Sequence, residues 1–175
     1  GRPAPYERTF PHETRQRDAA TALVDIGARS TTVTVTLGGA PRFVRIIPAG
    51  GADLSRILED LPGASPAHAE ELKRRVGLLG PAYRPEDAAA VDAIHGFCGD
   101  LLDSIRNTLR YFSNAHPTVQ LGSLVASGGG AQLPGFLDAL GEITRLPATL
   151  ADPFRSVTTA RKVDAAPPSL AVALG

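Results

Sequence analysis

Methionine and tryptophan are both missing from this 175-residue chain, and cysteine occurs once, at Cys98. A single thiol cannot close an internal disulfide, so burial rather than a covalent staple must hold the fold. Cys98 reads as a small buried helix residue. Aromatic residues are only 5% of the chain, which leaves aliphatic side chains to build the core. Neither sign of charge is in excess, with 18 Lys and Arg against 18 Asp and Glu. That balance excludes the electrostatic footprint of a nucleic-acid binder or of an acidic-membrane binder. No apolar run approaches the roughly 20 residues that span a bilayer, and no signal-peptide pattern opens the chain. A cytoplasmic setting is expected. The missing methionine further leads to the expectation of a fragment, a processed product or a piece made for expression.

What is present is ordinary globular material: 43% hydrophobic residues in a length that buries about 70% of its unfolded surface. The organising stretch runs from Thr21 to Leu37. Val24 and Ile26 alternate with Asp25, and Val33, Val35 and Leu37 alternate with Thr32, Thr34 and Thr36. Period two on both sides of a short turn predicts a strand pair with one buried face. Gly27 permits a sharp turn, and the backbone around Ala28, Arg29 and Ser30 is suited to aim N–H groups at an anion. Ser30 and Thr31 add hydroxyls, and Asp25 is placed to hold a metal ion or its water. The same residues equally suit an ordinary hairpin in which Asp and Gly serve only the turn.

Residues 1–18 are polar, with Pro3, Pro5, Pro11 and four arginines, and read as a linker or ragged end. Strands are predicted at 20–26, 31–37 and 42–48, the last two joined by Gly38-Gly39 as a tight hairpin. A short helix follows with Leu54, Ile57, Leu58 and Leu61 inward, ended by Pro62-Gly63. Ser65-Pro66 supplies a hydroxyl cap and a proline at the first position of a second helix, which stops at Gly77. Residues 78–85 form a Gly/Pro loop. The spacing of Val91, Ile94, Phe97, Leu101, Ile105, Leu109 and Phe112 predicts a long helix over 86–114, with Arg106 and Arg110 on its solvated face. A strand at 121–126, a helix opening at Pro134 with Leu137, Leu140 and Ile143 inward, a short strand near 149–151, a loop and a final apolar helix from Ser169 complete the pattern. The class is α/β, with a sheet antiparallel at one edge and parallel at the other.

Two further signals carry chemistry. Gly128-Gly129-Gly130 ends a predicted strand, and a glycine triplet lets a ligand approach the backbone ahead of a helix N-terminus. It also suits a plain strand-to-helix turn. It is neither a Walker loop nor a dinucleotide fingerprint, since the Gly-Lys-Ser/Thr and the glycine spacing are absent. Glu70 and Lys73 lie three apart on one helical face, as a solvated ion pair or as partners for ribose and base. The four histidines, His12, His68, His95 and His116, are too scattered to suggest a metal site.

In order, Asp25-Ile-Gly-x-x-x-Thr-Thr32, Ala69-Glu-Glu-Leu-Lys-Arg74 and Ser127-Gly-Gly-Gly-Ala-x-Leu-Pro-Gly135 resemble the second half of the actin-like ATPase (ribonuclease H-like) fold. Within it the chain looks most like the PilM family of type IV pilus assembly. The Gly27-Ala-x-Ser-Thr31 loop, the stretch Asp100 to Phe112, Ala151-Asp-Pro-Phe154 and Ala171-Val-Ala-Leu-Gly175 carry that narrower likeness. The resemblance covers about residues 20–175. It implies a three-stranded antiparallel meander in a mixed sheet, with a small helical subdomain inserted at about 51–85.

By the same resemblance, Asp25, Gly27, Ala28, Ser30 and Thr31 match the second phosphate loop, with Asp25 positioning Mg²⁺ and the attacking water. Glu70, Lys73 and Arg74 match the helix that contacts ribose and base. Gly128, Gly129, Gly130 and Leu133 match the adenosine-binding turn. The implied cofactors are ATP and Mg. The implied role is a nucleotide-regulated scaffold with slow or negligible turnover, cytoplasmic and held at the inner membrane through a PilN-like partner, with self-association possible. The family's first phosphate loop and its partner-binding region have no counterpart in these residues. Half an ATP site lacks several charge-assisted hydrogen bonds of ~1.5–3 kcal/mol each. These residues alone are therefore expected to bind nucleotide weakly. An FtsA-like division protein, a type II secretion component, an active ATPase or kinase of the superfamily, and a scaffold that no longer binds nucleotide stand as alternatives.

Overall fold

The computed structural model describes residues 19–78 and 84–151. The expected linker over 1–18, most of the 78–85 loop, and the loop and final helix beyond Ala151 lie outside the described residues. So do most of the Asp-Pro-Phe run and all of Ala171 to Gly175.

Alternation of small or branched apolar residues with threonine writes the sheet. Strands β1 (Ala20–Ile26), β2 (Thr31–Leu37) and β3 (Ala40–Ile47) run as an antiparallel meander, and β4 (Leu121–Ser127) and β5 (Ala148–Leu150) add in parallel. The order across the sheet is β3-β2-β1-β4-β5. The mixed sheet has its antiparallel and parallel edges where the sequence pattern puts them. Gly38 and Gly39, at φ +58° and +79°, make the hairpin between β2 and β3. Both values lie where a side chain is strained, which explains a glycine pair at that turn.

The inward face of the sheet holds Ala22, Val24 and Ile26 of β1, Val33 and Val35 of β2, and Leu124 and Ala126 of β4, all buried. Helix α3 (Ala88–Ala115) lies over that face and presents Ile94, Leu101, Ile105, Leu109 and Phe112 to it. Phe43 of the edge strand meets Phe112 at 5.7 Å between ring centroids and Tyr111 at 6.2 Å, so β3 is fixed to the helix by aromatic contact. Helix α4 (Phe136–Thr144) packs beside α3 with Phe136 and Leu140 buried.

Three expectations need correction. The long helix begins with a 3-10 turn at Pro85–Asp87, because Pro85 supplies a fixed φ and Asp87 accepts from the Arg84 N–H at 3.0 Å. Helix α4 opens at Phe136 rather than Pro134, since Gly135 sits in the left-handed region at φ +81° and turns the chain first. Ile57 of helix α1 (Gly51–Glu59) is 40% exposed, whereas Leu54 and Leu58 are buried. This short helix packs against the helix that follows it and against α3 along its Leu54–Leu58 row, which leaves Ile57 at the edge of the buried face.

Helix α2 (Pro66–Arg75) starts as its cap predicts, with Ser65 Oγ accepting from the His68 N–H at 3.3 Å. Its last residue, Arg75, grips Asp87 with both guanidinium nitrogens, at 2.6 and 2.9 Å, and so ties α2 to the start of α3. Asp87 is only 5% exposed. The Arg75 guanidinium, followed by the Arg84 amide, holds the Asp87 carboxyl at about 2 against an ordinary 3.8. A carboxylate depressed in the folded state adds stability above its unfolded value, and that stability is lost as pH falls from about 4 toward 2. Asp87→Asn is expected to cost roughly 2 kcal/mol at neutral pH. In urea unfolding followed across pH, the variant's penalty should shrink in that acid window. A penalty that is constant with pH would show the ion pair to be irrelevant.

Candidate functional site

The turn between β1 and β2 is built on its carbonyls. The Gly27 N–H donates to Ser30 O at 3.0 Å, which closes the turn. The first amides of α1 then dock onto it: Gly51 N–H to Gly27 O at 2.9 Å, and Ala52 N–H to Ala28 O at 2.8 Å. Helix N-terminal amides have no partner within their own helix, so this docking satisfies two of them and orients the turn together. The Asp53 carboxylate accepts from the Gly50 N–H at 2.9 Å and completes the helix start. With its carbonyls turned toward α1, the turn leaves the N–H groups of Ala28, Arg29 and Ser30 without an acceptor among the described residues. Three successive such amides suit an anion.

Gly50 is required by this contact. A Cβ there would stand 2.6 Å from both Gly27 O and Ala28 O. Its backbone is extended at φ −155°, so contact distance rather than dihedral strain selects glycine. Sequence reading passed over Gly50, because nothing local marks a glycine whose neighbour lies more than twenty positions away.

On the other wall, Gly128 lies against the end of β1. A Cβ at Gly128 would meet Ile26 O at 2.3 Å, and one at Gly130 would meet the buried Ile26 side chain at 2.2 Å. Gly129 has open space and faces the cleft. The triplet thus divides its work: Gly128 and Gly130 allow strand contact, and Gly129 and Gly130 face the cleft. The α2 end closes onto this wall, where Leu78 N–H donates to Pro134 O at 2.7 Å.

Between the walls is a cleft of about 590 Å³. Of the residues singled out from sequence, Gly27, Ala28, Glu70, Lys73, Arg74, Gly129, Gly130 and Leu133 line it. Asp25, Ser30, Thr31 and Gly128 do not. Asp25 is exposed at the strand end, opposite Ser127 in register, and accepts from the Ser127 hydroxyl at 2.8 Å. Thr31 is 0% exposed, and its hydroxyl donates to Ala49 O at 2.8 Å. It braces the loop from beneath, with its proton already committed. The floor is apolar and includes Leu54, Phe97, Cys98, Leu101 and Phe136. Burial pushes the Cys98 thiol up to about 12, so the floor carries no thiolate near neutral pH.

One polar network faces this floor. Lys73 Nζ donates to Glu70 Oε1 at 2.8 Å, to Ser55 Oγ at 2.9 Å and to Gly51 O at 3.3 Å. These use all three ammonium hydrogens. Ser55 Oγ lies 2.6 Å from Glu70 Oε1 and 3.1 Å from Gly51 O, and its single proton goes to the nearer, anionic oxygen. Hydrogen bonds from Lys73 first and Ser55 second hold the Glu70 carboxyl below its ordinary range. Glu70 Oε2 has no partner among the described residues and remains an acceptor suited to a hydroxyl pair. Ser55 was missed from sequence, since a serine inside a short helix gives no signal until α2 is packed beside it.

No group of three or more His, Cys, Asp or Glu positioned to hold a metal occurs among the described residues. A lone carboxylate such as Asp25 fits a Mg²⁺ that arrives on phosphate oxygens and keeps several waters.

A family model described as type IV pilus assembly protein PilM matches residues 4–175. The chain belongs to this family. Among solved structures it is similar to a PilM-PilN type IV pilus biogenesis complex, at TM-score 0.65 and 23% identity, over 84% of this chain and 40% of that one. It is also similar to MreB 5 of Spiroplasma citri bound to AMPPNP, at TM-score 0.58 and 15% identity, over 77% and 48%. A third is an archaeal actin homolog in complex with ADP, at TM-score 0.53 and 24% identity, over 77% and 44%. No curated protein matches the chain. This PilM-family chain therefore has the actin-like fold and spans less than half the length of these three structures.

Gly50→Ala tests the docking of α1 on the turn. Overpacking against two backbone oxygens is expected to cost about 1–3 kcal/mol in urea unfolding. Hydrogen exchange at Gly51 and Ala52 should quicken selectively. Unchanged exchange at those two amides would rule out the contact as described.

Proposed function

We propose that this chain is the second half of an actin-like, ATP-binding scaffold of type IV pilus assembly, with its adenosine site in the cleft. About residues 51–85 act as a small subdomain inserted into the larger one. The observation that carries the reading is convergence: Gly27 and Ala28, Glu70 with Lys73 and Arg74, and Gly129, Gly130 and Leu133 come from three separated stretches to one cavity. The chemistry of each wall suits a nucleotide. Glu70 is kept ionised by Lys73 and Ser55, and its open oxygen accepts from ribose hydroxyls. Arg74 lines the same wall with a guanidinium able to stack on or hydrogen-bond a base. Gly129 leaves its wall flat, and Leu133 and the apolar floor suit an aromatic ring.

The loop amides of Ala28, Arg29 and Ser30 grip phosphate oxygens, and Gly27 sets their direction. Thr31 serves by fixing the loop to Ala49. Asp25, held by Ser127, would hold Mg²⁺ or its water when nucleotide is bound, and Gly128 lets the backbone pass close to that corner. The metal supplies charge neutralisation when nucleotide is bound. Nucleotide occupancy closes the cleft and sets which surface a partner sees.

The solved PilM-PilN complex supports a PilN-like partner. By the family resemblance, that partner is an inner-membrane protein and engages the family's other half. The protein then works in the cytoplasm, peripheral to the inner membrane. No helix among the described residues is long and apolar enough to cross a membrane, consistent with attachment through a partner. Match to the PilM family favours pilus assembly over the division and secretion alternatives.

Titration calorimetry of Mg-ATP into the full natural protein tests this reading, alongside Asp25→Ala and Glu70→Gln. Expected is binding by the parent, about tenfold weaker binding for Glu70→Gln, and altered metal dependence or lost turnover for Asp25→Ala. A folded parent that takes up no nucleotide would replace this reading with a scaffold independent of ATP.

A further inference from the structure

We propose that a second groove, at the opposite end of the sheet from the cleft, docks an acidic segment of a partner protein with interspersed apolar residues. The groove has a volume of about 760 Å³ and lies where α3 ends, β4 begins and α4 ends. It shares no lining residue with the cleft. Leu109, Val119, Leu121, Ile143 and Leu146 give it an apolar floor, and Arg106, Arg110 and Arg145 rim it. No acidic residue lines it.

The charge is local. The whole chain balances 18 cations against 18 anions, yet three guanidiniums meet here. Asp103 answers one of them, at 3.0 Å from Arg106 Nη2. Arg110 and Arg145 make no ion pair among the described residues. Arg106 Nε is buried without an acceptor among the same residues. Helix-dipole stabilisation suits Arg145, the C-cap of α4, but does not explain Arg106 and Arg110, which precede the last turn of α3. Arg145 holds a left-handed backbone at φ 57°, a position glycine would occupy more cheaply. Arg110 is exposed and Arg106 partly so, as the solvated face expected from sequence, and both also rim the groove.

The occupant follows from these features. A small anion would meet the arginines but leave the apolar floor wet. A purely apolar segment would bury the guanidiniums against nothing. Carboxylates spaced among aliphatic residues satisfy both. Residues 1–18 precede the strand whose Ala20 N–H donates to Gln120 O at this groove. They carry four arginines against Glu7, Glu13 and Asp18, the same sign as the rim, and are a poor match.

Fluorescence anisotropy on the full natural protein tests this, with labelled short peptides alternating Glu and Leu and the same peptides carrying Gln for Glu. The acidic peptide should bind, weaken with added salt, and lose about tenfold or more in affinity with Arg110→Gln plus Arg145→Gln. Mg-ATP binding by that folded double variant should be unchanged. Failure of the acidic peptide to bind overturns the proposal, as does equal binding of the Gln peptide. Displacement by pyrophosphate alone would reassign the groove to small anions. Capture of anionic-lipid vesicles in place of the peptide would reassign it to a membrane surface. Either result sinks the peptide site.

Discussion

The contact on which the cleft depends is the seating of one helix end on one turn. Two N-terminal amides of α1 donate to Gly27 O and Ala28 O, and Gly50 lets the backbones come that close. Those bonds settle three things together. They satisfy a helix end that has no partners of its own, they rotate the turn so its remaining amides face outward, and they bring Ser55 within reach of Glu70 and Lys73. A helix started one residue later would lose all three. The cleft is in this sense a consequence of how α1 begins.

The opposite wall shows the same economy of backbone contact. Gly128 and Gly130 allow the strand-to-helix turn to lie against the end of β1, with distances that no Cβ would tolerate. The α2 terminus then closes on Pro134, and the Arg75–Asp87 pair locks α2 to α3. Glu70, Lys73 and Arg74 are thereby presented from a helix whose C-terminal end is held by two contacts. A fixed helix end limits how far these side chains drift, which suits recognition better than a loop of the same residues.

Commitment of side chains narrows what the site is able to do. Thr31 gives its proton to the protein, and Lys73 uses all its hydrogens locally. Most gripping of an anion therefore falls to loop amides and to Arg74. Such a site is shaped for holding. On the reading proposed above, Asp25 would be the one carboxylate beside the phosphates, leaving few groups to drive fast turnover.

Much of this was legible in the sequence, and the reason is periodicity. Alternation in Ala20–Ile26 and Thr31–Leu37, the three-and-four spacing of α3, the Ser65-Pro66 cap and the Gly38-Gly39 hairpin are local patterns with local causes. They fixed the class, the mixed sheet and most element positions before any contact was known. Most of the site residues that the motif order pointed to line the cleft. Gly50, Ser55 and Asp87 were not legible, because their partners lie at distant positions in the chain and nothing beside them announces the contact. Nor was the burial of Thr31, whose hydroxyl looked available until Ala49 was placed beneath it. The arginine rim arose the same way, from one helix face and the end of another helix. Sequence determined which elements form, since backbone preference and apolar spacing act over a few residues. Only the tertiary structure decided which polar groups face a ligand and which are spent on the fold, because that depends on what packs against each one.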